Sequence, residues 1–338
     1  MRWPRALVGL CAVLLAACSS GSTTSAQPAA SSTVSGAEAA PRATASAATA
    51  AAAASAAAAE SLVPDVMVGG DRPVAVHVPP GYDPDQPAPL LIVLHGYGSS
   101  GREHDAYFQL GDDAAQRGYL YAYPDGTLDS HGDRFWDATD ACCDFDRSSV
   151  DDGAYLSGLI NEIQATFAID PKRIHLIGHS NGGFMSYAMA CAHADQIASI
   201  VSLAGATFAE PTDCAPTMPV AVAEVHGTAD DTITYPGGTL DLGAGYTTGA
   251  YPGAEATVAT WATYDGCSGS SVVDEHVDVD ADLGSADGPA ETSVMRWTGC
   301  RPGGAAELWT IPDGGHAPNI AESFGPAVLD FFEAHPKP

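Results

Sequence analysis

A serine flanked by glycines stands between a short apolar run and a segment of helical period. The apolar run covers 174–177, the pentapeptide Gly178–Gly182 reads Gly-His-Ser-Asn-Gly, and a helix is predicted over 182–193. A tight strand-to-helix turn needs glycines because its backbone segments approach too closely for side chains, and a helix N-terminus favours negative charge that develops there. This placement predicts that Ser180 is a nucleophile rather than an inert turn residue.

Short apolar runs alternate with longer helical segments from about residue 63 onward. The run 90–94 is continuously apolar, as expected for a parallel strand that helices cover on both faces, and 174–177 and 220–225 look similar. The predicted strands are 90–94, 174–177, 220–225 and 307–311, and the predicted helices are 103–117, 152–167, 182–193 and 321–333. The pattern therefore predicts an α/β fold, a mainly parallel sheet flanked by helices, in a single catalytic domain over 63–338.

A serine hydroxyl is a weak nucleophile, so it needs an imidazole base, which in turn needs a carboxylate. On such a sheet the chain order is serine, acid, histidine. Three histidines follow the next plausible acid: His276, His316 and His335. The first lies in an acidic alternating stretch and the last lies near the end of the sequence. His316 follows the run 307–311 through two glycines, so we predict that His316 is the base.

The acid is expected in the loop that follows the run 220–225. The hexapeptide His-Gly-Thr-Ala-Asp-Asp at 226–231 lies there and ends in two carboxylates. We predict Asp230 as the acid, with Asp231 as the alternative.

Acyl transfer also needs hydrogen-bond donors for the oxyanion that forms on the substrate. The backbone N–H of Asn181, directly after the serine, is the first expected donor. The second is expected in the loop after strand 90–94, where we predict the backbone N–H of Tyr97. Because a backbone donor does not depend on its side chain, Tyr97 fits a cleft wall equally well.

The N-terminus has the pattern of an export signal. Two arginines precede an uncharged apolar stretch, 6–17, which is too short to span a bilayer. It ends in Leu-Ala-Ala-Cys, which resembles the lipobox of bacterial lipoproteins, so residues 1–18 are predicted to be a signal peptide and Cys18 a lipidation site. The alternative is ordinary secretion. Residues 19–62 are rich in Ala, Ser and Thr and are predicted to be a flexible tether.

Charge limits the partners of the chain. Lys and Arg total 13 against 42 Asp and Glu, which gives a formal net charge of −29. Such a surface repels polyanions, so a nucleic-acid partner is not expected. Membrane contact is expected through the lipid anchor only. The sequence indicates no oligomeric state.

Six cysteines remain after the signal region, an even number that suggests disulfides in an oxidising compartment. They lie at 142, 143, 191, 214, 267 and 300. The sequence contains no closely spaced Cys/His set, so neither a metal site nor a cofactor is expected. The carboxylates of Asp278, Asp280 and Asp282 have a calcium-like spacing but lack the glycine and distal glutamate of an EF-hand. A solvated acidic strand and loop is therefore the expectation for 274–282.

Taken together, these stretches resemble the secreted esterases that include polyhydroxybutyrate depolymerases and feruloyl esterases of plant-biomass degradation. The resemblance covers about 66–334. It rests on LHGYG at 94–98, YPDGT at 123–127, FWDATDACCDF at 135–145, VDDGAYL at 150–156, GHSNGGFM at 178–185, HGTADD at 226–231 and GGH at 314–316. The resemblance implies an α/β-hydrolase fold and metal-independent hydrolysis of carboxylic esters by Ser180, Asp230 and His316.

The family also suggests substrate and disulfides. Depolymerases of solid polyester carry Trp-Pro after the histidine and commonly an added binding module, whereas Ala317-Pro318 follows here. Feruloyl or other acyl esters of plant polysaccharide are therefore expected ahead of polyester, with Trp136 as a candidate wall of an aromatic acyl pocket or a core residue. The family pattern pairs the cysteines as Cys191–Cys214 and Cys267–Cys300, and it leaves Cys142 and Cys143 bonded to each other or free.

Two other functions fit the same fold. One is a non-catalytic surface lipoprotein that binds a ligand, since fold does not determine function. A retained serine, acid and base in order argues against it. The other is a serine peptidase, which amide cleavage would distinguish from an esterase.

Overall fold

A computed structural model describes residues 65–243, 245–284 and 290–338, except the side chain of Asp274. The predicted signal peptide, its Cys18 and the predicted tether 19–62 lie outside the described residues. Among the described residues, no helix is both long and apolar enough to cross a membrane.

The described residues form fourteen strands and six α-helices. The strands are β1 Val66–Val68, β2 Val74–Val76, β3 Ala88–Leu94, β4 Leu120–Ala122, β5 Thr127–Leu128, β6 Arg134–Phe135, β7 Ile169–His179, β8 Ser199–Leu203, β9 Ala221–Gly227, β10 Gly237–Gly243, β11 Tyr246–Pro252, β12 Val272–Val277, β13 Thr292–Arg296 and β14 Ala306–Ile311. The helices are α1 Gly101–Phe108, α2 Gly111–Gln116, α3 Asp152–Thr166, α4 Asn181–Ala192, α5 Ala254–Tyr264 and α6 Phe324–Ala334.

Eight strands form the central sheet, in the order β12-β13-β14-β9-β8-β7-β3-β4. The six strands from β14 to β4 run parallel, and only β12 and β13 add antiparallel pairs at one edge. Strand β3 is the point at which the strand order reverses, because β4 lies on one side of it and β7 on the other. The carboxyl ends of β3, β7, β9 and β14 therefore open at one edge, where α/β proteins place their sites.

Helices cover both faces of this sheet, because neighbouring residues of a strand point to opposite sides. On one face, strand residues such as Leu90 and Leu176 pack with Ile160 of α3 and Trp261 of α5. On the other face, Leu91 and Ile177 belong to a second cluster that includes α1, α2 and α6. All seven residues of β3 are buried, as the continuous apolar run predicts.

Most predicted elements are present, with two corrections. The predicted helix 103–117 is two helices, α1 and α2, because the chain turns at Gln109, whose φ is 54°. The prediction of a solvated acidic stretch is only partly right: His276 is exposed on β12, but Asp280 is buried with 6% exposure. Its backbone N–H donates to Glu291 Oε1 at 2.8 Å, which ties the loop to the chain before β13.

Three disulfides join the described cysteines. Cys191 at the end of α4 is bonded to Cys214, and Cys267 is bonded to Cys300. The adjacent Cys142 and Cys143 are bonded to each other. Disulfides persist in oxidising compartments, so this set is consistent with export from the cytoplasm.

Asp265, directly after α5, is a buried carboxylate that couples stability to pH. Its Oδ1 accepts a hydrogen bond from Val220 N at 3.1 Å, whereas Oδ2 is buried with no hydrogen-bond partner among the described residues. Burial raises the pKa of Asp265 to about 7, well above that of an unfolded aspartate, near 3.9. Between about pH 4 and 7 the folded state therefore keeps a proton that the unfolded state releases, and stability falls as the pH rises.

We expect Asp265→Asn to be more stable than the wild type at pH 8, by about 1–3 kcal/mol, because the amide has no charge to bury. The advantage should shrink toward pH 4, where the carboxyl of the folded wild type is protonated and buries no charge. Urea unfolding at pH 4.5, 6 and 8 measures it. Asp231→Asn, at an exposed position, is the matched control and should keep the wild-type pH dependence. Parallel stability curves for Asp265→Asn and the wild type would contradict the expectation.

Candidate active site

Ser180 occupies the turn between β7 and α4. Its φ and ψ are 55° and −119°, a conformation that non-glycine residues adopt rarely and at a cost of about 1–3 kcal/mol. The turn is held by hydrogen bonds from Ser180 N to Leu203 O at 2.8 Å and from Phe184 N to Ser180 O at 3.0 Å. The side chain therefore projects at the carboxyl edge of the sheet, in front of a helix N-terminus.

The two glycines that flank Ser180 are required by close backbone packing. A Cβ on Gly178 would overlap the carbonyl oxygen of Gly182, and a Cβ on Gly182 would overlap the carbonyl oxygen of Leu94. Leu94 is the last residue of β3, so the turn packs directly against the start of the predicted oxyanion loop. The reason proposed from the sequence, that the backbone leaves no room for side chains, is confirmed.

His316 and Asp230 come together beyond the ends of β14 and β9. His316 Nδ1 lies 2.8 Å from Asp230 Oδ2, and Asp230 Oδ1 accepts from Thr232 N at 2.8 Å and Ile233 N at 2.9 Å. Burial alone would raise the pKa of Asp230, but hydrogen bonds from His226 and His316 hold it well below the usual range. The carboxylate is therefore ionised and oriented toward His316. Asp231, the alternative acid, is exposed and its nearest polar contact is Thr232 Oγ1.

His179, the residue before Ser180, holds the loop that carries His316. Its Nε2 lies 2.8 Å from the carbonyl oxygen of His316, so this nitrogen carries the proton. Its Nδ1 lies 3.1 Å from His104 Nε2, which also lies 3.2 Å from Gly96 N. Burial lowers the pKa of His179 to about 4 and that of His104 to about 3. Two neutral imidazoles therefore connect the loops of Gly96 and His316.

The loop after β3 lies against the serine, as the sequence predicts for an oxyanion loop. A Cβ built on Gly96 would be 3.5 Å from Ser180 Cβ. The next residue, Tyr97, is half-buried, and its hydroxyl donates to Asp129 while its ring packs 5.1 Å from that of Phe145. The Tyr97 side chain is therefore turned to the neighbouring loops, and its backbone remains beside the serine turn.

The Asn181 side chain clamps the backbone of Trp136. Its Oδ1 accepts from Trp136 N at 2.7 Å and its Nδ2 donates to Trp136 O at 2.9 Å. The indole N–H of Trp136 donates in turn to His95 O at 3.1 Å. Both side chains are fully buried, with 0% exposure. Of the two expectations for Trp136, a pocket wall or a core residue, the structure supports the core residue, because the ring is fully buried; its indole N–H supports the loop at His95.

Sequence reasoning missed these supporting side chains. His179 and Asn181 were visible inside the serine motif, but Asn181 was assigned a role only through its backbone N–H and His179 was assigned none. His104 had no local signal, since its role depends on the packing of α1 over the sheet edge. Within the described ranges, no group of three or more His, Cys, Asp or Glu side chains is arranged to hold a metal ion.

Comparisons with known proteins agree with this architecture. Feruloyl esterase B of Piromyces equi is 30% identical over 249 residues, which cover 73% of this chain and 42% of that protein. The bifunctional acetylxylan esterase/xylanase XynS20E of Neocallimastix patriciarum is 27% identical over 167 residues, which cover 49% of this chain and 22% of that protein. This chain therefore spans less than half the length of either relative.

A solved structure shows the same fold. The acetyl xylan esterase from Aspergillus awamori superposes with a TM-score of 0.54 at 14% identity, over 79% of this chain and 98% of that one. At this identity the likeness concerns the fold alone, and it confirms the predicted α/β-hydrolase fold. The Esterase family model matches residues 66–294, which include Ser180 and Asp230. From this match and the fold, the chain belongs to the Esterase family, a family of carboxylic-ester hydrolases.

Proposed function

We propose that this chain is a serine-type carboxylic-ester hydrolase in which Ser180, His316 and Asp230 form the catalytic triad. The observation that carries the proposal is the 2.8 Å contact between His316 Nδ1 and Asp230 Oδ2 at the sheet edge where Ser180 occupies its strained turn. A carboxylate on Nδ1 places the imidazole proton there and leaves Nε2 as the base. The ring of His316 lies 4.9 Å from that of His179, the neighbour of Ser180 in the chain.

In the proposed reaction, Ser180 Oγ attacks the ester carbonyl carbon as His316 Nε2 takes the hydroxyl proton. The tetrahedral intermediate collapses, the C–O bond to the alcohol breaks, and the alcohol leaves with the proton from His316. Water then attacks the acyl-enzyme with the same base and releases the acid. Asp230 stays ionised throughout and stabilises the imidazolium.

The oxyanion of the intermediate would be held by the backbone N–H groups of Asn181 and Tyr97. Asn181 opens α4, so its N–H points out of a helix N-terminus, where negative charge is favoured. The clamp from Asn181 to Trp136 and the bond from Trp136 to His95 connect the two donors through buried groups. Losing one such donor typically lowers the rate by about 10²–10³.

For the substrate, we favour feruloyl or other acyl esters carried by plant polysaccharide. The names of two relatives, a feruloyl esterase and an acetylxylan esterase/xylanase, support this class. A cavity of about 960 Å³, a size that suits an organic ligand, has Phe145 in its wall, and the ring of Phe145 packs against that of Tyr97. None of the three proposed triad residues lines this cavity. Its walls include Asp137, Asp140, Asp144, Phe145, Leu242 and Tyr246. Carboxylates beside aromatic rings suit a neutral, hydroxyl-rich group such as a sugar better than an anion.

For the location, we propose an exported protein with a signal peptide over 1–18, a lipid on Cys18, a tether over 19–62 and the esterase domain over 63–338. The disulfides support export. A single acyl chain binds a membrane weakly, but two or more chains anchor a protein stably. The tether would then carry the esterase domain away from the membrane surface.

Ser180→Ala is expected to lower kcat for p-nitrophenyl acetate by about 10⁴ or more, because the nucleophile is removed. Asp230→Asn should lose about 10²–10⁴, since its amide no longer fixes the imidazole tautomer. Steady-state kinetics on the protein from residue 63 onward measure both. Asp231→Asn is the matched control and should stay within about twofold of wild type. A Ser180→Ala protein that kept a tenth of the activity would exclude the triad.

The substrate proposal predicts a ranking of kcat/KM. Methyl ferulate and feruloylated arabinoxylan oligosaccharides should be cleaved faster than a suspension of polyhydroxybutyrate, and a peptide amide should not be cleaved. Product release measured by liquid chromatography gives the ranking, with Ser180→Ala as the blank for each substrate. Faster release from the polyester than from either ferulate would reverse the assignment and favour the depolymerase alternative.

Lipidation predicts that Cys18→Ser moves the protein from the membrane to the soluble fraction of a bacterial host. Incorporation of labelled palmitate and partition into detergent should both disappear in this variant. Cys11→Ser changes a cysteine inside the same apolar stretch and is the control that should keep the label. Equal partition of the wild type and Cys18→Ser would indicate plain secretion.

A further inference from the structure

His226 is a buried imidazole that touches the triad carboxylate, and the reaction described above does not use it. Its side chain is 1% exposed near the end of β9. His226 Nε2 lies 3.4 Å from Asp230 Oδ2, the same oxygen that His316 Nδ1 contacts at 2.8 Å. This carboxylate oxygen therefore faces two imidazoles: His226 lies near the end of β9, and His316 lies in the loop after β14.

Neighbouring groups determine the protons on His226. Nε2 lies 2.7 Å from Ile233 O, and a carbonyl only accepts hydrogen bonds, so Nε2 carries a proton. Nδ1 lies 2.9 Å from Glu224 Oε1, and Glu224 Oε2 accepts from Tyr187 OH at 3.0 Å. Burial alone would lower the pKa of His226, but hydrogen bonds to Asp230 and Glu224 raise it to about 10. Burial raises the pKa of Glu224, but Tyr187 OH donates to its Oε2 and His226 Nδ1 faces its Oε1, and both contacts favour the carboxylate. We therefore assign the pair as a buried imidazolium and a carboxylate.

We propose that His226 is a positioning residue for ester hydrolysis: held by Glu224 and Ile233, its imidazolium lies 3.4 Å from Asp230 Oδ2, stabilises the ionised carboxylate and keeps it oriented toward His316. The inference rests on the triad proposed above. Backbone N–H groups hold Asp230 Oδ1, and the imidazolium of His226 lies beside Oδ2. Without this neighbouring positive charge, the ionised form of the buried carboxylate would be less stable.

The charge of His226 also affects the base. Titratable groups face it from β9, from the segment after β9, from α4 and from the two loops of the site. They are Glu224, Asp230, Tyr235, Tyr187, His179 and His316. A positive charge next to Asp230 disfavours a second positive charge on His316. Removal of the charge on His226 should therefore move the acid limb of the kcat/KM profile to higher pH.

Two amide substitutions separate the contacts of the ring. His226→Gln places an amide near the position of Nε2, facing Asp230 and Ile233, and His226→Asn places one near the position of Nδ1, facing Glu224. We expect kcat to fall about 10-fold in His226→Gln and about 100-fold in His226→Asn, with KM within about twofold. In both variants the acid limb should move up by about 0.5–1 pH unit. Stopped assays of p-nitrophenyl acetate from pH 4.5 to 9 measure these quantities.

His175→Gln is the matched control. His175 is equally buried, with 0% exposure, and its Nδ1 lies 2.7 Å from Ser199 Oγ, away from the triad. This variant should lose thermal stability as His226→Gln does but keep the wild-type kcat and acid limb. If His226→Gln also kept both, or if His175→Gln moved them equally, His226 would be a structural residue and the proposal would be wrong.

Glu224→Gln covers the case in which the His226 variants do not fold. It keeps the shape of the side chain but removes the charge that stabilises the imidazolium, so neutral His226 retains its Nε2 proton. The acid limb should again move to higher pH, with kcat within about threefold of wild type, and an unmoved limb overturns the proposal.

Ser180→Ala distinguishes failure of the proposed triad from failure of the proposed role of His226. Full activity in Ser180→Ala refutes the triad, whereas an inactive Ser180→Ala with an unchanged His226→Gln refutes the role of His226 alone.

Discussion

The site depends on one geometric constraint, the parallel order of β3, β7, β9 and β14. Parallel neighbours end at the same edge of a sheet, so residues that are up to 220 positions apart along the chain, from Gly96 to His316, meet there without any long loop. Each side chain is then placed by its own short connection. The serine turn is the tightest of these connections, and its glycines let β3 and α4 approach it closely.

Much of this arrangement could be read from the sequence because it rests on local patterns. Short, mostly apolar runs identified β3, β7, β9 and β14, and the chain order of serine, acid and histidine selected Ser180, Asp230 and His316 as candidates. The break at Gln109 was not predicted, since a left-handed residue other than glycine leaves no clear local signal. The choice between pocket and core for Trp136 was left open. Whether a lone tryptophan lines a pocket or fills the core depends on Asn181, 45 residues away.

The roles of the buried polar residues next to the candidate site could not be predicted from the sequence for the same reason. The histidines at 104, 179 and 226 are buried. The role of each follows from a side chain that another part of the fold places beside it. A buried polar group is costly unless it is hydrogen-bonded, so such residues are retained where their bonds hold something in place. Here His179 holds the backbone of the His316 loop, and His226 lies 3.4 Å from the carboxylate of Asp230. The choice between Asp230 and Asp231 follows from this environment, because only the first is buried against these rings.

The disulfide at the far end of α4 links the helix behind Ser180 to the oxidising compartment in which the disulfide forms. Helix α4 begins at the serine turn and ends beside Cys191, which is bonded to Cys214 across a separation of 23 residues. Closing a loop of this length stabilises a fold by about 3 kcal/mol in the chain-entropy account. During biogenesis, this cross-link can form only where thiols are oxidised. In the exported protein proposed above, the scaffold that carries Ser180 would therefore mature only after the polypeptide has left the reducing cytoplasm.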